Sequence, residues 1–169
     1  MSEKSVNEAV SFGARLASSQ AFADLFRDGM ALVEETAAYL DGPGRQESKK
    51  LERNAALAYA TESMRLTTRL MQLASWLLLH RAVKEGEMSL AQANKEKAKV
   101  KLATSEHNDE QNIKLLPERL RALIQRSKVL QSAVRRLDAT IHAAVPTRID
   151  RGNPVERQLG LLKAAFERE

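Results

Sequence analysis

The chain has 169 residues, of which 43% are hydrophobic, 29% are charged and only 4% are aromatic. This length allows one domain with a hydrophobic core, and the aliphatic balance favours packed helices over a β-sandwich. The net charge of +5 does not require a nucleic-acid partner, and the lack of cysteine excludes disulfides, thiolate nucleophiles and cysteine-ligated zinc. No apolar run reaches the length of a signal peptide or membrane span, so we expect a cytoplasmic protein without membrane insertion.

The first helix is predicted from Gln20 to Leu40, where apolar residues recur at gaps of three and four. Residues 1–19 are small and polar with little periodicity, and we interpret them as an N-terminal arm. Asp41-Gly42-Pro43-Gly44 should end the helix, because glycine tolerates the left-handed conformation and proline cannot continue a helix.

A second, longer helix is predicted from near Ser48 to near Glu85, since no glycine or proline interrupts the chain before Gly86. It carries two apolar stripes: Leu66, Leu70, Leu73 and Leu77 form one, and Met64, Met71, Ala74 and Leu78 form the other. Two apolar faces need two neighbours, so the helix is the centre of a three-helix bundle, or a second copy of the chain covers one stripe. Ser89 begins a capping box that predicts a short helix to about Val100.

The third helix is predicted from Pro117 to about Ala144, after an exposed polar connection over residues 101–113. Its seam alternates gaps of four and three: Leu116, Leu120, Leu123, Ser127, Leu130, Val134, Leu137, Ile141 and Ala144. We therefore predict an all-α fold, an antiparallel three-helix bundle in up-down-up order over residues 20–145, with a long central helix and flexible terminal arms.

The C-terminal tail, residues 146–169, contains a possible short amphipathic helix that opens at Pro154. Its apolar face consists of Val155, Leu159, Leu162 and Phe166. We favour packing of this face on the bundle, and the alternative is a helix that binds a partner in a groove.

The sequence lacks the residue patterns of the common catalytic sites. None of the three histidines, His80, His107 and His142, lies in an H-E-x-x-H motif, and the chain has no nucleophile elbow or phosphate-binding loop. Glu62 is followed at i+3 by Arg65, and we interpret the two as an ion pair rather than as a general acid or base. We therefore predict that the chain is not an enzyme and holds no cofactor or metal.

A basic stripe on the third helix leaves one alternative function open. Arg121, Lys128 and Arg135 recur every seven residues, as in a nucleic-acid-associated helical protein. No aromatic residues are interleaved to stack on bases, and the positions are those expected to face water. We favour a solvated face over a nucleic-acid site.

The segment from Glu62 to Ser89 resembles the regulator of CtrA degradation family, RcdA, of the alphaproteobacteria. The resemblance rests on Thr67-Thr68-Arg69-Leu70-Met71, Trp76-Leu77-Leu78, Arg81-Ala82-Val83 and Gly86-Glu87, in that order. With the glycine-containing turn after the first helix and the leucine-rich third helix, it covers roughly residues 20 to 142.

This resemblance implies a homodimeric three-helix bundle that acts as a proteolytic adaptor and helps the ClpXP protease receive CtrA-like cargo. It also implies a response-regulator-type partner that primes the ClpX unfoldase, and recruitment of the adaptor to a cell pole. The candidate interface residues are those that carry the resemblance: Thr67, Thr68, Arg69, Leu70, Met71, Trp76 and Arg81. A contact between helices or between two copies is the favoured role of Thr67, Thr68 and Arg69.

Overall fold

The structure, a computed structural model, describes residues 19–99 and 110–143, and these residues form six helices and no strand. The helices are α1 (Gln20–Asp41), α2 (Pro43–Ser48), α3 (Arg53–Lys84), α4 (Leu90–Lys99), α5 (Glu110–Lys114) and α6 (Glu118–Ala143). The predicted all-α bundle is confirmed. Most of the predicted N-terminal arm and the whole C-terminal tail lie outside the described residues, so the proposed division of the chain stays a prediction.

The first helix ends where the sequence predicts, but by a different turn. The Ser19 hydroxyl accepts a hydrogen bond from the Phe22 amide, 3.3 Å away, at the start of α1. At the other end Gly42 has φ −116°, so it is not left-handed, and Pro43 begins the short helix α2. Lack of space favours glycine at both turn positions: a Cβ atom would lie 2.9 Å from the Ala38 carbonyl oxygen at position 42 and 2.6 Å from the Tyr59 hydroxyl oxygen at position 44.

The long helix α3 begins at Arg53, five residues later than predicted, because Ser48 belongs to α2. The helix ends before Gly86, whose φ of 75° is in the left-handed region that favours glycine.

The predicted cap at Ser89 is confirmed, since its hydroxyl accepts a hydrogen bond from the Gln92 amide at 3.1 Å. The connection predicted over residues 101–113 is partly wrong, because it overlaps the helix α5.

Three long helices form the bundle, with α3 in contact with both α1 and α6. Helix α1 runs antiparallel to α6, because Glu35 pairs with Arg126 while Tyr39, one turn later, contacts Arg119. Helices α3 and α6 run in the same direction. Arg69 bonds to Ser127, and seven residues further along α3 Trp76 bonds to Asp138.

The predicted up-down-up order is therefore wrong for the third helix. Residues 85–117 were predicted to contain a short helix to about Val100 and an exposed connection over residues 101–113, and no contact of this segment with α3 was predicted. They contain α4, which folds back on α3, and α5, which also contacts α3. A connection of this length returns the chain to the start of the bundle before α6 begins, so α6 lies parallel to α3.

The core confirms the predicted seam of α6. Leu116, Leu120, Leu123, Ser127, Leu130, Val134 and Ile141 are buried, Leu137 is half-buried against them, and Ala144 lies outside the described residues. Facing this seam, α1 contributes Phe22, Leu32 and Tyr39, and α3 contributes Leu66, Leu70, Leu73, Trp76 and Leu77. Within the described ranges no helix combines the length and the apolarity needed to cross a bilayer.

Candidate functional site

The outer face of α3 exposes a row of four large apolar side chains, which we call the outer stripe. Leu57, Met64, Met71 and Leu78 are 69%, 71%, 66% and 53% exposed. They are seven residues apart, two helical turns, and so lie along one line. The described residues contain only two other large apolar side chains with this exposure, Leu115 and Val129.

The two apolar stripes predicted for this helix differ in burial: one is in the core and the other is exposed. Leu66, Leu70, Leu73 and Leu77, the inner stripe, are at most 4% exposed and form the centre of the core. The outer stripe is exposed along its length, and among the described residues α1 and α4 flank only its C-terminal half. Between its members the same face carries only small uncharged residues: Ala60, Thr61, Thr67, Thr68, Ala74 and Ser75. An exposed row of large apolar side chains with only small residues between them is typical of surfaces that contact other proteins.

Two shallow grooves adjoin the C-terminal half of the outer stripe. The first, the α1 groove, has a volume of about 260 Å³ and is lined by Val33, Thr36, Ala37, Leu40 and Asp41 of α1 and Thr67, Leu70, Met71 and Ala74 of α3. The second, the α4 groove, has a volume of about 330 Å³ and is lined by Ser75, Leu78, Leu79 and Ala82 of α3 and Glu96 and Lys99 of α4. On a helical projection the grooves lie on opposite sides of the stripe.

The α1 groove has one unusual polar atom in its wall. Thr36 is only 3% exposed, and its hydroxyl oxygen has no hydrogen-bond partner among the described residues. Buried hydroxyls are nearly always hydrogen-bonded, because leaving one without a partner costs about 1–3 kcal/mol. The lining of the groove is thus mainly apolar, with the Thr36 hydroxyl, Thr67 and Asp41 as its polar groups.

The candidate interface residues do not all lie on this outer face. Thr67, Thr68 and Met71 are exposed on it. Arg69 instead donates to the Ser127 hydroxyl at 2.9 Å, a contact between α3 and α6. Leu70 is in the core, so it shapes the floor of the α1 groove from beneath.

The remaining two candidates, Trp76 and Arg81, lie toward the C-terminal end of α3. The Trp76 ring is buried, and its Nε1 donates to Asp138 Oδ1 at 2.9 Å. Arg81 is exposed, pairs with Glu85 at 2.9 Å and lies 5.0 Å over the Phe26 ring. The tail candidates Val155, Leu159, Leu162 and Phe166 lie outside the described residues, so their role stays a prediction.

Asp138 fixes α4 to the bundle. Its second oxygen pairs with Lys97 Nζ at 2.5 Å, and both side chains are less than a quarter exposed. Trp76, the other partner of this carboxylate, is stacked on His80 with ring centroids 4.0 Å apart. One carboxylate thus joins α3, α4 and α6, and holds α4 where it forms a wall of the α4 groove.

Several titratable groups of the described residues have structural partners. The predicted ion pair is confirmed, with Arg65 2.6 Å from the buried carboxylate of Glu62. His80 is buried, with Nδ1 3.0 Å from the Trp76 carbonyl oxygen. Burial, and then a 2.6 Å hydrogen bond to Glu47, raises the pKa of Tyr39 well above its usual value. In the part of the chain that the structure describes, no three acidic, histidine or cysteine side chains converge as metal ligands.

The basic stripe occupies the side of α6 away from the core. Arg121 and Arg135 are exposed, and Lys128 is half-buried. Arg126, on the same helix, pairs with Glu35 of α1 at 2.6 Å.

Sequence reasoning placed Met64, Met71 and Leu78 on one face but missed Leu57 and both grooves. Leu57 continues the seven-residue spacing by one more step, and extending the pattern toward the N-terminus would have identified it. The grooves depend on how closely α1 and α4 approach α3, which no spacing within a single helix indicates.

Comparison with known proteins identifies relatives for most of the chain. A family described as a protein of unknown function, DUF1465, matches residues 13–166. The crystal structure of RcdA from Caulobacter crescentus CB15 is similar to the chain at 54% identity and a TM-score of 0.63. That match covers 76% of this chain and 96% of the RcdA chain. No curated protein matches the sequence.

The matched range extends beyond residues 20 to 142, over which the sequence resemblance was noted, into both terminal segments. Together the two matches confirm the resemblance. The chain therefore belongs to the RcdA family, whose family model is described as DUF1465.

Proposed function

We propose that the chain is a non-catalytic adaptor that delivers protein cargo, a CtrA-like cell-cycle regulator, to the ClpXP protease through protein–protein contacts. The observation that carries the proposal is the 54% identity to RcdA over 96% of that chain. The outer stripe supports it, because it is an apolar surface suited to binding proteins.

Three protein partners and a location follow from the family. The proposed partners are ClpX, a response-regulator-type protein that primes this unfoldase, and the CtrA-like cargo. The complex forms in the cytoplasm, with recruitment to a cell pole. The tail residues Val155, Leu159, Leu162 and Phe166 remain candidates for one of these contacts, through a helix that binds in a partner's groove.

The chain is also proposed to be a homodimer, with the outer stripe of α3 at the interface. An α3 helix with one apolar stripe in the core and another exposed has the pattern of a helix with one neighbour missing. The spacing of seven residues is that of the seam between two long helices. A second copy would bury Met64 and Met71, which are among the most exposed large apolar side chains of the described residues.

The adaptor proposal is tested by reconstitution with purified ClpXP, a response-regulator partner and a CtrA-like substrate. We expect cargo to be degraded faster when the chain is added, and the acceleration to be reduced when Met71→Glu replaces the wild type. Val129→Glu is the matched control, since Val129 is also exposed and apolar but lies on α6. An unchanged degradation rate with the wild-type chain present would contradict the adaptor function.

The tail contact is tested separately by a chain that ends at Val145. If the tail binds a partner, this variant captures fewer proteins from cytosol than the full chain, while its unfolding transition stays the same. Equal recovery of ClpX and cargo by the two chains would remove the tail from the proposal.

A further inference from the structure

The α1 groove has apolar walls and carboxylates along one side. Val33, Leu40 and Leu70 line it with aliphatic side chains, and Asp41 lines it at one end. Glu34 is exposed and lies seven residues before Asp41, so the two carboxylates follow one line along the outer side of α1. We call Glu34 and Asp41 the acidic rim. The opposite side of the groove is bounded by the outer stripe, which is uncharged.

The acidic rim differs from the other carboxylates of α1 in its lack of a counter-charge. Asp24 and Asp28 both pair with Arg27, and Glu35 pairs with Arg126. Among the described residues, neither carboxylate of the acidic rim forms an ion pair. Helix α1 as a whole carries five acidic residues and one arginine, so the potential along the rim is negative. A cation placed over the groove would therefore be attracted.

The wall of the groove gives a second, independent indication of a ligand. Thr36 lines the groove, is only 3% exposed, and has no hydrogen-bond partner for its hydroxyl among the described residues. Buried hydroxyls are nearly always hydrogen-bonded. A bound segment that carries a polar group beside its apolar side chains would supply this partner.

We propose that the α1 groove is the docking site of a basic amphipathic helix from a protein partner, with apolar side chains in the groove and lysine or arginine over the acidic rim. The inference deepens the proposed function and rests on it, because the helix belongs to a protein that the adaptor binds. The lining residues of α1 run from Val33 to Asp41, about 12 Å at 1.5 Å per residue. That length accommodates two apolar side chains one helical turn apart.

Lysine and arginine suit this rim because their side chains are both long and partly apolar. Their aliphatic stems lie on apolar surface while the charged group stays in water. On a helical projection of α1, Ala37 lies between the apolar wall and the acidic rim. A stem that crosses Ala37 would bring its ammonium or guanidinium group to Glu34 or Asp41.

Two other occupants match the groove less well. A second copy offers the outer stripe, in which only small uncharged residues lie between the apolar side chains, so it brings no cation to the acidic rim. Nucleic acid is repelled, because its phosphates and the rim have the same sign of charge. A basic amphipathic helix complements both the apolar walls and the rim.

The test measures binding of two helical peptides to the purified full chain by fluorescence anisotropy. Both peptides carry leucines one turn apart on one face, and the flanking residues are lysine in one peptide and glutamate in the other. We expect the lysine peptide to bind at least about tenfold more tightly, because only its charges are attracted by the acidic rim. Added salt should reduce this difference, since both rim carboxylates are exposed. Equal affinity of the two peptides would overturn the inference.

Charge reversal tests whether the acidic rim is the site. In the double variant Glu34→Lys with Asp41→Lys, the preference should invert, so that the glutamate peptide binds more tightly than the lysine peptide. The matched control is Glu96→Lys, which reverses a carboxylate of the α4 groove beside the same outer stripe and should leave the preference unchanged. A wild-type preference in the double variant, or an inverted one in the control, would contradict the assignment to the α1 groove.

Filling the groove tests its apolar walls without a change of charge. Ala37 lines the groove, so Ala37→Phe should weaken binding of the lysine peptide about tenfold by occupying its place. Ala31→Phe is the control, because Ala31 is also exposed on α1 but lies outside the groove. Equal binding by Ala37→Phe and the wild type would show that the peptide does not enter the groove.

The remaining outcomes distinguish a partner helix from the other occupants. If the double variant changes the mass of the chain in light scattering, a second copy occupies the groove and the inference is overturned. If the lysine peptide binds only the chain that ends at Val145, the tail occupies the groove, which also overturns it. If neither peptide binds while the wild-type chain still accelerates cargo degradation, the inference fails and the adaptor function stands.

Discussion

The two apolar stripes of α3 have nearly the same composition and opposite surroundings. The inner stripe is covered by α1 and α6, whereas the outer stripe faces solvent across most of its length. The chain therefore folds by burying one side of its longest helix and leaves the other side exposed, where we propose that a second copy binds. The difference shows that apolar periodicity identifies which faces of a helix are apolar, but not which of them the folded chain buries.

The largest expected difference between the stripes is in their contribution to folding. Leu77 is 1% exposed and packs against Gly29, so Leu77→Ala should lower the free energy of unfolding by about 2–5 kcal/mol. Its neighbour Leu78 is on the outer stripe, and Leu78→Ala should change that free energy by less than about 0.5 kcal/mol when measured on the monomer. Urea denaturation at low protein concentration measures both changes in the free energy of unfolding. Equal losses would show that the two stripes contribute equally to folding.

The polar contacts behind the inner stripe should make the next largest contribution to the free energy of unfolding. Asp138→Ala leaves the partly buried Lys97 amine and the Trp76 indole without their shared acceptor, and we expect a loss of about 1–3 kcal/mol. Glu85→Ala is the control, because its ion pair with Arg81 is exposed and should contribute about 0–1 kcal/mol. A loss for Asp138→Ala no larger than that of the control would show that this carboxylate does not hold α4.

The stability of the inner core should also depend on alkaline pH through Tyr39. Burial raises the pKa of Tyr39, so the folded state favours the neutral phenol more than the unfolded chain does. This contribution is fully present below the unfolded pKa of about 10 and is lost as the pH rises toward the higher folded value. Denaturation at a series of pH values should show stability falling above pH about 10.

The variant Tyr39→Phe separates the hydroxyl from the ring. It removes the hydrogen bond to Glu47 and should cost about 1 kcal/mol at neutral pH, while reducing the alkaline loss. A pH dependence identical to that of the wild type would assign the alkaline loss to other groups.

The smallest effect on folding is expected from the outer stripe itself. Met64→Ser and Met71→Ser should leave the unfolding free energy of the monomer within about 0.5 kcal/mol, because both side chains are already in water. The same variants should shift the assembly toward monomer in light scattering. A large loss of monomer stability would mean that these residues contribute to the core.

Much of this fold was predictable because its determinants are local. The seam of α6 from Leu116 to Ile141 and the cap at Ser89 are patterns within one helix or one turn, and the structure confirms both. The direction of α6 was not predictable in the same way. It depends on where the connection between α3 and α6 packs, and contacts such as that of Lys97 with Asp138, far apart in sequence, hold the described part of this connection on the bundle.

The candidate site was predictable only in part, for the same reason. The stripe positions follow from their spacing, but the α1 groove needs α1 and α3 to pack at a set distance. A contact between helices or between two copies was the favoured role of Thr67, Thr68 and Arg69. Arg69 makes a contact between helices, with Ser127 of the α6 seam, whereas Thr67 and Thr68 are exposed, and their spacing alone does not distinguish these two outcomes.

The most direct test of the central claim is the labelling rate of a single thiol on the outer stripe as a function of protein concentration. The chain has no cysteine of its own, so Met71→Cys places one thiol on the stripe and Val129→Cys places one on α6. If association covers the outer stripe, the thiol of Met71→Cys reacts more slowly as the concentration rises, and that of Val129→Cys does not. Labelling of both at rates independent of concentration would contradict the claim that this face of α3 serves association.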